Sequence, residues 1–95
     1  MTVKVRDLRP LHSPKVSGVR KSLEQLTDRE LLAAIHQPAN GDFIKIDKKS
    51  GKVVDGNGRA YELLRRAVDP ASSVTMETEI DVELYERDNS AFPDL

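Results

Sequence analysis

The chain has 95 residues, no cysteine and a formal net charge of −1, with 38% apolar and 33% charged side chains. That length supports one core, the missing thiols exclude a disulfide framework or thiolate metal site, and near-neutrality argues against a strongly basic nucleic-acid binder. No apolar run reaches the roughly 18 residues of a membrane span, and the N-terminal Met-Thr-Val-Lys-Val-Arg lacks the apolar centre of a secretory signal.

Thr2 to Leu8 alternates, with Val3 and Val5 on one face and Lys4 and Arg6 on the other, which predicts a half-buried strand. Arg9 to Pro14 contains two prolines and reads as an extended loop. Ser17 can cap a helix whose Val19, Leu23 and Leu26 recur at helical spacing. Thr27-Asp28-Arg29-Glu30 is a capping box that starts a second helix, with Leu26 and Leu31 placed as a hydrophobic staple. Leu31, Leu32 and Ile35 form its buried face and Pro38 ends it, so two helices with a bend near Leu26 are expected.

After an Asn40-Gly41 turn, Phe43, Ile44 and Ile46 face Val53 and Val54 across Asp47 to Gly51, which predicts a hairpin with glycine supplying positive φ. A helix is expected over residues 58–68, stopped by Pro70. Met76, Thr78, Ile80, Val82 and Leu84 then alternate with Glu77, Glu79, Asp81, Glu83 and Tyr85, a strand with one acidic face. Residues 1–26 carry six basic and two acidic side chains, and residues 75–95 one basic and seven acidic. Lys4 and Arg6 can therefore pair with Glu79, Asp81 and Glu83 if the terminal strands are neighbours, the expected topology. The fold class is α+β: a small mixed sheet with its N- and C-terminal strands paired, a central hairpin and two to three helices. Residues 1–88 form the domain, and 89–95 are a tail that frays or docks through Phe92.

The most informative stretch is Lys52 to Ala67. Val53 and Val54 end a strand, Asp55 to Gly58 turn, and Ala60, Leu63, Leu64 and Ala67 form an apolar stripe of the following helix. Asn57 is placed as its N-cap. Gly56 and Gly58 admit positive φ and close approach of a ligand, and Arg59 lies in the first helical turn beside free amides. This is an arrangement for an anion, above all phosphate; the competing reading is an ordinary strand-turn-helix corner. Asp55 is either a general base or Mg²⁺ ligand, or a turn aspartate bonding its own backbone. Arg59 has the alternative of a surface ion pair with Glu62 or an acidic strand residue. His12 becomes a general acid or base only where the Arg9–Pro14 loop folds back toward the turn; otherwise it is a structural hydrogen-bonder. His36 suits a helix C-terminus. Arg65 and Arg66 read as a solvated face that could extend a phosphate path, and Lys48, Lys49 and Lys52 as solvated.

Leu8-Arg9-Pro10-Leu11-His12, then a helical region, a hairpin, Val53-Val54-Asp55-Gly56-Asn57-Gly58-Arg59, a helix with Leu63, Leu64 and Arg65, and a last strand: in this order the chain resembles the ParB/sulfiredoxin superfamily over residues 3–85. It is most similar to the small ParB-like domains of bacterial toxin and effector proteins. The resemblance implies a phosphate site made by Gly56, Asn57, Gly58, Arg59 and Arg9, with Asp55 and His12 as catalytic candidates. It implies a nucleotide triphosphate or nucleic-acid phosphate as ligand, Mg²⁺ as cofactor, and nuclease or nucleotide-hydrolase chemistry. Without cysteine, sulfiredoxin chemistry is excluded, and Gly58 stands where many relatives carry His or a second Arg. The further phosphate box and the DNA-reading helix-turn-helix of partition proteins are not visible. Expected localisation is the cytoplasm, or delivery as part of a secreted toxin. The alternative is a catalytically inactive interaction module, whose acidic strand (Glu77, Glu79, Asp81, Glu83) recognises a basic protein or a second copy.

Overall fold

The computed structural model describes residues 1–10 and 20–86, except the side chains of residues 20 and 21. Among these residues the elements run β1 (Thr2–Lys4), a 3₁₀ turn (Val5–Asp7), α1 (Arg20–Glu24), α2 (Asp28–His36), a second 3₁₀ turn (Ala39–Gly41), β2 (Ile44–Asp47), β3 (Val53–Asp55), α3 (Asn57–Ala67) and β4 (Glu79–Tyr85). The strands form one mixed sheet in the order β1-β4-β2-β3. β1 and β4 are antiparallel, as are β2 and β3, whereas β4 runs parallel to β2. α3 lies between β3 and β4 in the chain and supplies the long crossover that a parallel neighbour needs. The α+β class and the pairing of the terminal strands are as the sequence predicts.

Local chemistry explains where elements begin and end. The Thr27 Oγ1 accepts from the Glu30 N–H (3.1 Å) and the Glu30 carboxylate accepts from the Thr27 N–H (2.9 Å), so the capping box starts α2 as expected. Leu31 and Ile35 of α2 are fully buried, and Leu26 packs against the same core. The hairpin loop turns at Gly51 (φ +74°), where a side chain would be strained. Ser17, Val19 and the first turn of the predicted first helix lie outside the described residues, as do His12 and the Asn89–Leu95 tail.

Three expectations are corrected. The first strand ends at Lys4 instead of Leu8, because Val5–Asp7 closes a 3₁₀ turn with the Leu8 N–H on the Val5 carbonyl (3.0 Å). Three residues per turn put Val5 and Leu8 on one side, and both are buried; a continuous strand would have sent them to opposite faces. The last strand starts at Glu79, not Met76, because Thr75 and Thr78 tie the segment into a turn: the Thr75 N–H bonds the Thr78 hydroxyl (2.8 Å) and the Thr78 N–H bonds the Thr75 carbonyl (3.1 Å). That turn also redirects the charge pairing. Lys4 is opposite Glu79 in register, but Lys4 Nζ (2.8 Å) and Arg6 Nη1 (2.7 Å) both reach Glu77.

The third correction concerns α3. The sequence pattern reads Arg66 as solvated, yet it is 5% exposed, and Glu62 one turn earlier is 1% exposed. Arg66 Nε donates to Glu62 Oε2 (2.6 Å), Nη1 to Asp28 Oδ1 (2.9 Å), and Nη2 to the carbonyls of Leu23 (2.9 Å) and Leu26 (2.6 Å). Arg65 holds the same Glu62 with two bonds, from Nε (2.9 Å) and Nη2 (2.6 Å). Asp28 also accepts from the Ser72 hydroxyl and from the Ser73 N–H and hydroxyl. Burial pushes the Glu62 carboxyl up, but the two guanidiniums outweigh it and hold the group below its ordinary value. The Ser73 N–H is the largest of the bonds that lower Asp28, to about 2.

Arg66→Ala should destabilise the fold by about 3–5 kcal/mol in chemical denaturation, because it leaves Glu62 buried beside only Arg65. Arg66→Lys should recover little of this, since an ammonium cannot span both carboxylates and both carbonyls. The depressed carboxyls also set an acid limit. Asp28 contributes stability that is complete above about pH 4, its unfolded range, and that disappears as pH falls toward about 2. Asp28→Asn should lower the neutral-pH stability and flatten its decline between these two pH values, as read from denaturation midpoints.

Candidate functional site

β3 ends at Asp55 and the chain reverses at Gly56, which sits in the left-handed region (φ +84°, ψ +26°). Gly56 is the residue capping α3, so the expected Asn57 cap is corrected: Asn57 and Gly58 already belong to the first helical turn. The first helical hydrogen bond runs from the Ala60 N–H to the Gly56 carbonyl (3.0 Å). Glycine is required here twice over. Its φ is one that side chains rarely adopt, and a Cβ would lie 2.9 Å from Arg59 Nη2, 3.0 Å from Ile44 Cγ1 and 3.2 Å from Ile44 Cα. The Ile44 backbone cannot retreat, because it is paired with Val82 in the sheet.

Arg59 folds back over this glycine. Its Nη1 donates to the Asp42 carbonyl at 2.7 Å, and its Nη2 is 3.9 Å from Asp42 Oδ2. The side chain is 16% exposed, against 59% for Asp42. Neither Glu62 nor an acidic residue of β4 partners it. Its tether is the segment after the Ala39–Gly41 turn, where Asn40 (φ +59°) and Gly41 (φ +66°) bend the chain. Asp55 is half exposed and has Lys45 Nζ at 3.8 Å. Arg65 and Arg66 are committed to Glu62 and Asp28 and add nothing to the corner.

The Leu8-Arg9-Pro10 segment reaches the same part of the sheet. The Val53 N–H donates to the Arg9 carbonyl (2.9 Å), and Pro10 pairs with Val53 in parallel. At that point the chain runs in the direction of β3, toward the end that carries Asp55. Arg9 itself is exposed. The structure therefore gathers Asp55, Gly56, Asn57, Gly58 and Arg59 at one junction, with the Arg9 carbonyl bonded to Val53 of β3 beside it. His12 lies outside the described residues. Among the described residues, no three His, Asp or Glu side chains are grouped to hold a metal ion, and no helix is long and apolar enough to cross a membrane.

Sequence reasoning missed Asp42 and Lys45. Lys45 alternates with Ile44 and Ile46, which marked it as outward-facing but could not supply its partner on β3. Asp42 acts mainly through its backbone carbonyl, for which no side-chain pattern exists. In comparisons with known proteins, the chain matches no family model, no curated protein and no solved structure.

Gly56→Ala tests the corner. The left-handed backbone alone should cost about 1–3 kcal/mol, with a further loss from crowding Ile44. A 95-residue chain should then melt roughly 4–8 °C lower for each kcal/mol lost. Gly51→Ala, which has the same sign of φ and open space around it, should cost less.

Proposed function

We propose that this chain is a ParB-like phosphate-binding domain, and that the β3–α3 junction receives the phosphates of a nucleotide or nucleic acid. The observation that carries the reading is the electrostatic state of Arg59. A cation at a helix N-terminus is disfavoured by the helix dipole. Arg59 sits there bonded to a neutral carbonyl, with, among the described residues, only the largely exposed Asp42 carboxylate near it, at 3.9 Å. An anion over Gly56–Arg59 would satisfy both the guanidinium and the first-turn amides of α3.

Support also comes from the convergence of the two segments that carry the resemblance. They are far apart in sequence, yet Arg9 and Val53 are joined by a backbone hydrogen bond. In this reading Arg9 and Lys45 add positive charge around the bound phosphate. Mg²⁺ would be held by Asp55 together with phosphate and water oxygens, as is usual for this ion. Asp55, with His12 as its candidate partner, would then serve hydrolysis of a phosphodiester or phosphoanhydride.

A thermal-shift titration with nucleoside triphosphates and short oligonucleotides, with and without Mg²⁺, tests this. A ligand present at 100 times its Kd should stabilise the fold by about 2.7 kcal/mol. Arg59→Ala should abolish that gain, whereas Arg65→Ala, on the part of α3 committed to Glu62, should preserve it. Stabilisation that survives Arg59→Ala, or none from any phosphate ligand, would remove the reading. Loss of turnover in Asp55→Asn with binding retained would separate the chemistry from the site.

A further inference from the structure

The cations of the Gly56–Arg59 corner stand beside carboxylates without being bonded to them. Lys45 Nζ lies 3.8 Å from Asp55 Oδ2, and Arg59 Nη2 lies 3.9 Å from Asp42 Oδ2. Both distances exceed a hydrogen bond, so each pair offsets charge and leaves those donors open. Asp42 is held in place by its backbone. Its carbonyl accepts from Arg59 Nη1 (2.7 Å), its N–H donates to the Ala39 carbonyl (3.2 Å), and the Gly41 N–H before it donates to the Pro38 carbonyl (3.3 Å). Rotation of the side chain therefore shifts the carboxylate but does not take its charge away from Arg59. The bond that positions Arg59 uses only the Asp42 carbonyl, which any residue could supply. What the Asp42 side chain adds is a negative charge at the place where an anion would bind.

We propose that Asp42 determines which phosphate the corner accepts: its carboxylate turns away doubly charged terminal phosphates and favours a singly charged phosphodiester, the internal linkage of a nucleic acid. The inference rests on the phosphate reading above and narrows it. Asp42 balances Arg59 and Asp55 balances Lys45. What remains for an incoming anion is the exposed Arg9 and the roughly half unit of positive charge at the start of α3. That remainder matches one negative charge better than two. A phosphate bonded to Arg59 Nη2 would come within several ångströms of Asp42 Oδ2, and the repulsion grows in proportion to the charge it carries. A phosphate monoester is mostly a dianion above its second pKa of about 6, whereas a diester carries a single charge. The monoester therefore meets about twice the penalty.

A matched pair of probes tests this: a nucleoside 5′-monophosphate and its methyl ester, which differ by one methyl group and one charge. Both are titrated into the intact chain near pH 8 with EDTA present, so that no divalent ion bridges phosphate to carboxylate. The amide NMR signals of Gly56 to Arg59 report binding. The unmodified chain should bind the ester at least as tightly as the monophosphate. Asp42→Asn keeps the backbone carbonyl that holds Arg59 and removes only the charge. It should tighten the ester roughly three- to fivefold and the monophosphate roughly ten- to twentyfold, so that the preference moves toward the monophosphate by about three- to fivefold. Both probes tightened by the same factor, or neither tightened, would overturn the inference and leave the phosphate reading standing. So would an unmodified chain that binds the monophosphate about tenfold more tightly than the ester. Absence of binding by both probes to both proteins would remove the phosphate reading and this inference together.

Discussion

One guanidinium holds the helical layer together. Arg66 bonds Glu62 on its own helix, Asp28 at the start of α2, and the carbonyls of Leu23 and Leu26 where α1 gives way to α2. The last four carbonyls of a helix have no partner within it, and a sharp bend between two helices leaves such groups near the core. Arg66 bonds the Leu26 carbonyl at the bend and adds a second donor to the Leu23 carbonyl, which also accepts from the Leu26 N–H (3.2 Å), so the chain can turn at Leu26 with both acceptors met. Asp28 passes the connection on to Ser72 and Ser73, which lead into β4. Among the described residues no buried side-chain nitrogen or oxygen lacks a partner. A network so saturated fixes one arrangement of α1, α2 and α3, and thereby the angle at which α3 meets the sheet. The corner at Gly56 inherits its position from that angle.

Much of this was legible where the determining interaction is local. The capping box at Thr27–Glu30, the hairpin closed by Gly51 and the alternation of β4 are written within a few residues, and the structure contains all three. The strand-turn-helix at residues 53–67 was legible for the same reason, and its cap moved by one residue only because glycine can turn the chain unaided. What stayed hidden depends on distant partners. The apolar stripe Ala60, Leu63, Leu64, Ala67 correctly picked two fully buried residues, but the buried band is rotated to include Glu62 and Arg66. A hydrophobicity pattern scores charges as exposed, and these are buried because each neutralises the other with help from Asp28. The one hint was an acid four residues before a base on a helix. It is indistinguishable from a surface pair until the fold is known.

The place of β4 was hidden for a topological reason. An alternating acidic strand reads as an edge with one wet face, and nothing in its own residues states how many neighbours it has. The parallel pairing with β2 follows from α3 acting as a crossover, a property of the whole β2–β3–α3–β4 sequence. As a result β4 lies inside the sheet, between β1 and β2, and is not the outer strand that its residues suggest. The acidic end of the chain is in fact partly spent within the molecule: Glu77 answers Lys4 and Arg6, and Asp81 answers His36 at 2.6 Å.

Two arginines on α3 are satisfied in different ways. Arg59 and Arg66 are seven residues apart, two helical turns, and so occupy the same side of the helix. Arg66 uses four bonds and has two carboxylates against it, so both its donors and its charge are met within the protein. Among the described residues Arg59 has one bond, to the Asp42 carbonyl, and the largely exposed Asp42 carboxylate at 3.9 Å, so its geometry is fixed while its charge is met by a single, more distant carboxylate. Holding a cation at the wrong end of a helix dipole is unfavourable on stability grounds alone. A tether from α3 to the Asp42 loop could have been made by a neutral donor without that cost, whereas an anion site needs the charge. The contrast in how the two side chains are satisfied, rather than the glycines that drew attention to the turn, is what supports the proposed reading of the corner as an anion site.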